Sequence, residues 1–361
     1  MAKRTPLYEK HTACGAKMVE FAGYLMPIQY KSITEEHLAV RSAAGLFDVS
    51  HMGELIFKGE GAAELLNYLT VNNTAKLEIG QVQYSAMCYP NGGIIDDLLV
   101  YRFPDHYMMV VNAANIEKDF RHISNYSRSE VDITDKSDDT ALLALQGPKS
   151  GAILQRLTKA DLSSVQYYCF IEDEVSGIKT VISRTGYTGE YGFELYVDNE
   201  NAGKLWDAIM DAGEKDGLKP VGLAARDTLR LEMKYALYGN DISQDTNPFE
   251  AGLGWITKMK KGDFIGRAAL EEVRKKGISR KLIGFKLAGK VFPRPHYPVY
   301  IGGIKVSEVT SGTFSPSLKK GIGLAYLPAD KCEIGTSIEV EIRGIKQPGL
   351  VVETPFYKSG N

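Results

Sequence analysis

Asn91-Gly-Gly-Ile-Ile-Asp-Asp-Leu-Leu-Val-Tyr101 is the stretch from which the fold and the chemistry can both be read, because two adjacent carboxylates interrupt a run of β-branched and aliphatic residues. Ile94 to Phe103, followed after a short turn by Tyr107 to Asn112, spells a β-hairpin. Strand alternation sets Ile95, Asp97, Leu99 and Tyr101 on one face and Ile94, Asp96, Leu98 and Val100 on the other. Both faces are otherwise apolar. At least one carboxylate is therefore poorly solvated, which raises its pKa or demands a cationic or hydrogen-bonding partner. Two readings fit: the acids cap the Gly-Gly turn as structural groups, or one of them serves chemistry. Asp97, one residue deeper and sharing a face with Tyr101, is the better candidate.

Outward from the hairpin, mixed elements alternate. Ser32-Ile-Thr-Glu35 has capping-box spacing and predicts a helix to about Gly45. Short strands fit Glu54 to Lys58, Gln83 to Tyr89 and Thr140 to Leu145, and Pro148 suits the first turn of the next helix. Further helices fit Ile116 to Tyr126, Ala202 to Glu214, Leu223 to Leu237 and Phe264 to Lys276. From Lys281 onward the pattern is short strands broken by Gly and Pro, as in a small β-barrel or jelly-roll unit. No internal repeat or low-complexity segment is present.

Composition narrows the function classes. With 361 residues, 44% of them hydrophobic, the chain can bury more than one core, so two or three domains are expected. Lys+Arg number 43 against 45 Asp+Glu, a balance that argues against nucleic-acid binding, which rests on a basic surface displacing counterions from phosphates. No apolar run approaches the length of a membrane span, and the first ten residues hold no apolar signal core, so a cytoplasmic protein without a membrane partner is expected. Cys14, Cys88, Cys169 and Cys332 are scattered without metal-site spacing and read as reduced, buried thiols. No dinucleotide or Walker-type glycine loop occurs. Residues 255 to 361 hold 19 Lys+Arg and 9 Asp+Glu, so the tail carries +10 and the preceding part −12. The basic excess reads either as a solvated face or as a docking surface for an acidic partner.

Two more segments stand out. Ser183-Arg-Thr-Gly-Tyr-Thr-Gly-Glu-Tyr-Gly-Phe-Glu-Leu195 carries glycines that permit close backbone approach to a ligand. Within it, Tyr187 can stack on a flat ring, and Glu194 can accept paired hydrogen bonds from an amino-heterocycle. A Gly-rich hairpin with a solvent-facing Glu is the competing reading. In Leu223 to Tyr235, Arg226 and Arg230 lie four apart on one helix face, with Asp227 and Glu232 near enough to pair. Arg226, nearer the helix start, is the better placed to clamp a ligand carboxylate. His51, without a Ser, Cys or metal partner, reads as structural.

In combination these segments resemble the T-protein family of the glycine cleavage system, the tetrahydrofolate-dependent aminomethyltransferases. The matching stretches are Arg4-Thr-Pro-Leu-Tyr8, Phe47-Asp-Val-Ser-His-Met-Gly53, Gly92-Gly-Ile-Ile-Asp-Asp97, Val111-Asn-Ala113, Leu145-Gln-Gly-Pro148, Ser183 to Glu194, Ala225 to Glu232, Asn247-Pro248 and Lys261-Gly-Asp-Phe-Ile-Gly266. They run in family order through nearly the whole chain. The resemblance implies an α+β protein of three domains in a cloverleaf-like arrangement around a central folate cavity, ending in the C-terminal β-barrel or jelly-roll domain. The implied units are residues 1–54 with 140–245, residues 55–139 with 246–277, and residues 278–361.

By the same resemblance Asp97 matches the essential aspartate, Glu194 the reader of the pterin edge, and Arg226 the arginine near the folate tail. Met52, Tyr84, Leu99, Tyr101, Asn112, Tyr187 and Tyr235 match positions about the folate. Lys358 stands where some relatives end in an arginine, offering a point charge in place of a bidentate fork. The implied reaction moves the methylene carbon of the aminomethyl group on the lipoyl arm of H-protein to tetrahydrofolate, releasing ammonia and forming methylenetetrahydrofolate. Tetrahydrofolate is the co-substrate, with no metal, nicotinamide or flavin, and the enzyme is expected to be a monomer with H-protein as its partner. The competing reading is a folate-binding iron-sulfur assembly factor of the same fold family. That group carries Lys-Gly-Cys-Tyr-x-Gly-Gln-Glu, whereas this chain has Asp263 at the cysteine position. A folate module of a dimethylglycine or sarcosine oxidising enzyme would require a preceding flavin domain, for which the chain has no glycine fingerprint.

Overall fold

The acidic hairpin lies at the centre of a five-stranded antiparallel sheet. A computed structural model describes residues 2–127 and 129–358. The sheet runs Val82–Cys88, Ile94–Arg102, His106–Val111, Gly53–Lys58, Asp132–Asp135. Its register has one break: Met87 faces Asp96 but Cys88 faces Ile94, so Ile95 is an extra residue on its strand. This bulge turns Ile94 to pack with Ala86 and Cys88, while Ile95 joins Leu98 and Val100. The regular alternation expected for Ile94 and Ile95 is thereby overturned. Leu99 and Tyr101 do keep one face.

A second, six-stranded sheet runs Phe170–Val175, Ile178–Ser183, Gly192–Asp198, Thr140–Gln146, Gly45–Asp48, Lys219–Pro220. The helix Asn199–Gly213 buries Leu205, Trp206 and Ile209 against it. Near the N-terminus, Lys3–Arg4, Tyr24–Gln29 and Lys17–Phe21 form a small third sheet. The last part of the chain closes into a barrel in the order Arg280–Leu287, Lys320–Pro328, Ile304–Ser315, Pro298–Ile301, Ser337–Ile342, Ile345–Val352. The architecture is thus α+β with a C-terminal β-barrel. The strand Gly53–Lys58 lies wholly in the five-stranded sheet, so a unit boundary after residue 54 would cut it.

Several element ends differ from the sequence expectation for local reasons. Ser32 caps the helix Ile33–Ser42 by accepting from Glu35 N, but the helix stops short of Gly45. Gly45 begins a strand so tightly packed that a Cβ there would sit 2.5 Å from Val40. The helix beginning at Leu223 ends at Glu232 and not at Leu237, because Lys234 adopts φ 58 and the chain turns away. Pro148 precedes the Lys149 N-cap of the helix Ser150–Gln155. Gly266, at φ 87, holds Phe264 outside the helix Arg267–Lys276. The helix expected from Ile116 runs to Ser124. Of the four thiols only Cys88 is buried; Cys14 is exposed and the other two are half-buried. Among the described residues no helix is long and apolar enough to cross a membrane.

Candidate active site

The two sheets and the barrel together line a cavity of about 1000 Å³. Asp97 enters it from the five-stranded sheet, while its neighbour Asp96 turns to the other face and is fully buried. Tyr84, on the adjoining strand, donates its hydroxyl to Asp97 Oδ2 at 2.9 Å. Asn112, at the end of the next strand, donates its amide to Asp97 Oδ1 at 3.0 Å and to Asp96 Oδ1 at 2.8 Å. Burial and the adjacent Asp96 charge push the Asp97 carboxyl up to about 7, against the pull of these hydrogen bonds. A carboxyl group with this affinity exchanges its proton near neutrality.

Glu194 forms a second polar point on the wall. It is buried in the strand Gly192–Asp198, opposite Ser183, and accepts a hydrogen bond from Thr185 Oγ1 at 2.5 Å. Burial raises its pKa, and the Thr185 bond and the Arg226 charge oppose that rise. Tyr101 does not line the cavity. It is fully buried behind the wall, and its hydroxyl joins Tyr196 at 2.8 Å, Ser183 at 3.1 Å and Thr185 at 3.3 Å. Strand alternation gave its face correctly but not its depth. Two glycines of the 183–195 segment serve packing: a Cβ on Gly186 would lie 2.1 Å from Gln146 Oε1, and Gly189 has φ +76 against Met233.

Arg226 and Tyr187 meet on a third side. The guanidinium lies 4.6 Å from the Tyr187 ring centroid, and the Tyr187 and Tyr235 rings stack at 5.7 Å. The Tyr187 hydroxyl donates to the Ala236 carbonyl, which fixes the ring. Among the described residues Arg226 makes no ion pair, so its guanidinium faces the cavity available to an anion. Arg230, one turn on, is instead buried and spent on Asp227 and Asp241, each at 2.7 Å, and on Ser311. Glu232 pairs with Arg41 and not with either of these arginines.

Met52 and Leu99 also line the cavity, so of the residues matched to the folate site by resemblance Tyr101 lies off it, as does Lys358. Lys358 is exposed. His51 does reach the wall, but burial and the Arg226 charge lower its pKa to about 4, so the ring is uncharged at neutral pH. Sequence reasoning missed Thr185, Trp255, Phe292 and Arg294, all of which line the cavity. Trp255 is 62% exposed and lies 6.0 Å from the Tyr84 ring, and the segment holding it had no periodic signal. Lys261 in the Lys-Gly-Asp-Phe motif is structural: its ammonium is held by the carbonyls of Asn67, Thr70 and Asn72. Asp263 is exposed and accepts from Phe264 N.

Comparison with known proteins agrees with this arrangement. The GCVT N-terminal domain family matches residues 7–261, and the glycine cleavage T-protein C-terminal barrel domain matches residues 280–358. An aminomethyltransferase of Halothermothrix orenii is 51% identical over 355 residues, covering 98% of this chain and 99% of that protein. One from Symbiobacterium thermophilum is 52% identical over 367 residues, covering 99% and 98%. The crystal structure of glycine cleavage system aminomethyltransferase T from Bartonella henselae superposes with a TM-score of 0.93 at 35% identity, covering 99% of each chain. With both family domains matched in order and half of all residues shared along the full length, the chain belongs to the glycine cleavage T-protein family of aminomethyltransferases.

Proposed function

We propose that this aminomethyltransferase of the glycine cleavage system holds tetrahydrofolate in the central cavity and uses Asp97 on the aminomethyl group carried by the lipoyl arm of H-protein. The products are ammonia, methylenetetrahydrofolate and dihydrolipoyl H-protein. The observation that carries the assignment is the Asp97 carboxyl, aimed into the cavity and fixed from two sides by Tyr84 and Asn112.

The polar groups of the wall suit a flat amino-heterocycle with an anionic tail. Glu194, oriented by Thr185, can accept paired hydrogen bonds from an amino-pyrimidine edge. Tyr187 offers a ring face, and the Arg226 guanidinium is placed for a carboxylate. These groups orient the co-substrate, converting its encounter with the aminomethyl carbon into a fixed approach. Breaking the carbon–nitrogen bond to ammonia leaves positive charge on that carbon. The Asp97 anion, in a wall of low dielectric and already oriented, stabilises that charge without reorganising. Its pKa of about 7 also lets it take up or release a proton as the amines change state.

The test is direct. Aminomethylated H-protein and tetrahydrofolate mixed with the enzyme should yield ammonia and methylenetetrahydrofolate together. Asp97→Asn keeps the shape and removes the charge, and should lower turnover by about 100-fold or more with folate binding retained. Near-normal turnover in that variant would remove Asp97 from the chemistry.

A further inference from the structure

Behind the Asp97–Asp96 pair lies a third acid that the reaction does not touch. Asp119, on the helix Ile116–Ser124, is fully buried, and neither of its carboxyl oxygens receives a hydrogen bond from any described donor. A buried carboxylate left in this state is costly, so its presence needs a reason. Its carboxyl group lies within hydrogen-bonding reach of Asp96.

The two acids have opposite surroundings. Asp96 accepts from Asn112 N at 3.0 Å, Asn112 Nδ2 at 2.8 Å and Asn115 Nδ2 at 2.6 Å. Asp119 accepts from none. Lys118, beside it on the helix, opposes the rise of its pKa by charge but forms no ion pair with Asp119: its ammonium donates to the Ile95 carbonyl at 2.6 Å and sits 4.0 Å from the Tyr238 ring centroid. The other titratable groups that face the acid are Asp97 across the strand and Tyr238 from the segment after Glu232. Two carboxyl groups in contact without a cation between them cannot both ionise. Three donors favour the charged form of Asp96, so the shared proton belongs on Asp119.

Resting on the Asp97 assignment above, we propose that Asp119 is a positioning residue: as the neutral acid it donates its hydroxyl hydrogen to Asp96, and Asp96 so fixed holds Asn112 and, through the Asn112 amide, Asp97. Burial and the Asp96 charge push Asp119 up to about 11, in keeping with this geometry. The chain of contacts Asp119, Asp96, Asn112, Asp97, Tyr84 then runs from the helix to the cavity.

The experiment compares Asp119→Asn and Asp119→Leu with the wild type. An amide still donates to Asp96, so Asp119→Asn should keep kcat within about two-fold and leave the acid limb of the pH profile in place. Asp119→Leu cannot donate. Losing that donor raises the pKa of Asp96, which then takes up a proton from solvent and loses the charge that helps to raise Asp97, so the acid limb should shift to lower pH while kcat drops about ten-fold. The KM for tetrahydrofolate should hold in both variants, since Glu194 and Arg226 are undisturbed. A packing role alone would leave the acid limb unmoved in Asp119→Leu, which would overturn the proposal, as would an Asp119→Asn variant as impaired as Asp119→Leu.

A second readout needs neither catalysis nor folate. At about pH 8, where an ordinary aspartate is ionised, the infrared difference between wild type and Asp119→Asn should contain the C=O stretch of a protonated carboxylic acid. A carboxylate band there would overturn the proposal even if the leucine variant did not fold. This spectrum also separates the two readings: an active Asp97→Asn would remove the reaction assignment and leave the Asp119 band in place.

Discussion

Tyr84 and Asp97, diagonal neighbours on adjoining strands, are joined by a 2.9 Å hydrogen bond in which the phenol donates to Oδ2, and the Asn112 amide serves the other oxygen. Burial and Asp96 raise the Asp97 pKa, and the Tyr84 bond works against them. Tyr84→Phe removes the one contribution without unpacking the ring. The Asp97 pKa should therefore rise by about one unit, since a hydrogen bond to a charged acceptor contributes about 1.5–3 kcal/mol in part offset by water entering the cavity. The anion is the form that stabilises positive charge, so the acid limb of kcat against pH should move upward, with about five-fold lower activity at neutrality and recovery on the alkaline side. A limb that stayed in place would show that another group titrates.

The wall residues should separate by depth. Glu194→Gln replaces an acceptor pair with an amide that can accept at only one of its two ends, and should raise the KM for tetrahydrofolate by about ten-fold or more. Tyr101→Phe should raise it less than about three-fold, because the Tyr101 hydroxyl touches Tyr196, Ser183 and Thr185 and not the cavity. Steady-state kinetics on the two variants checks the ranking. Equal effects would mean that Tyr101 reaches the co-substrate after all.

The contrast between these two positions shows what a sequence can and cannot carry. Alternation along Ile94 to Tyr101 identifies which residues share a face, and so picks out Asp97 with Leu99 and Tyr101. It holds no information on how far along that face the cavity extends, because the limit is set by Tyr196 and Ser183 on another sheet. The bulge at Ile95 breaks the same alternation and has no local mark. Asp119 reads in sequence as one more acid in the first turn of a helix, where solvent is the default, and only the packing of that helix against Asp96 makes it unusual. The barrel was legible as short strands with Gly and Pro between them, whereas the residues it contributes to the cavity, Phe292 and Arg294 among them, depend on how it docks.

Glu232 ties that docking to pH. It sits at the end of the helix Leu223–Glu232, pairs with Arg41 at 2.9 Å and His37 at 3.2 Å, and accepts from Ser315 and Ser317 of the barrel side. Burial acts to raise its pKa, but the His37 bond and the His37 and Arg41 charges prevail and hold it at about 2. A folded pKa below the unfolded one of about 4.3 stabilises the fold fully above that value, and the contribution is lost as pH falls towards 2. Glu232→Gln should therefore cost about 3 kcal/mol at neutral pH, as breaking a buried ion pair does, and should flatten the fall of stability between about pH 5 and 2. Denaturant titrations at several pH values check both. An unchanged acid slope would mean that Asp48, lowered by its His11, Ser50 and Thr5 partners despite burial, supplies it alone.

The basic tail makes a prediction about the partner. Residues 255 to 361 carry 19 Lys+Arg against 9 Asp+Glu, while the rest of the chain is acidic, so a partner with an acidic surface meets an uneven field. Charges that merely solvate a face leave encounter rates alone, whereas charges that steer a partner lose their effect once salt shortens the screening length to a few ångströms. Raising ionic strength from about 0.01 M to 0.5 M should then increase the KM for aminomethylated H-protein about ten-fold or more, with kcat held. The KM for tetrahydrofolate gives the internal control: its contacts lie inside the cavity and should be far less sensitive to salt. A KM for H-protein that does not move with salt would return the +10 excess to the solvated-face reading.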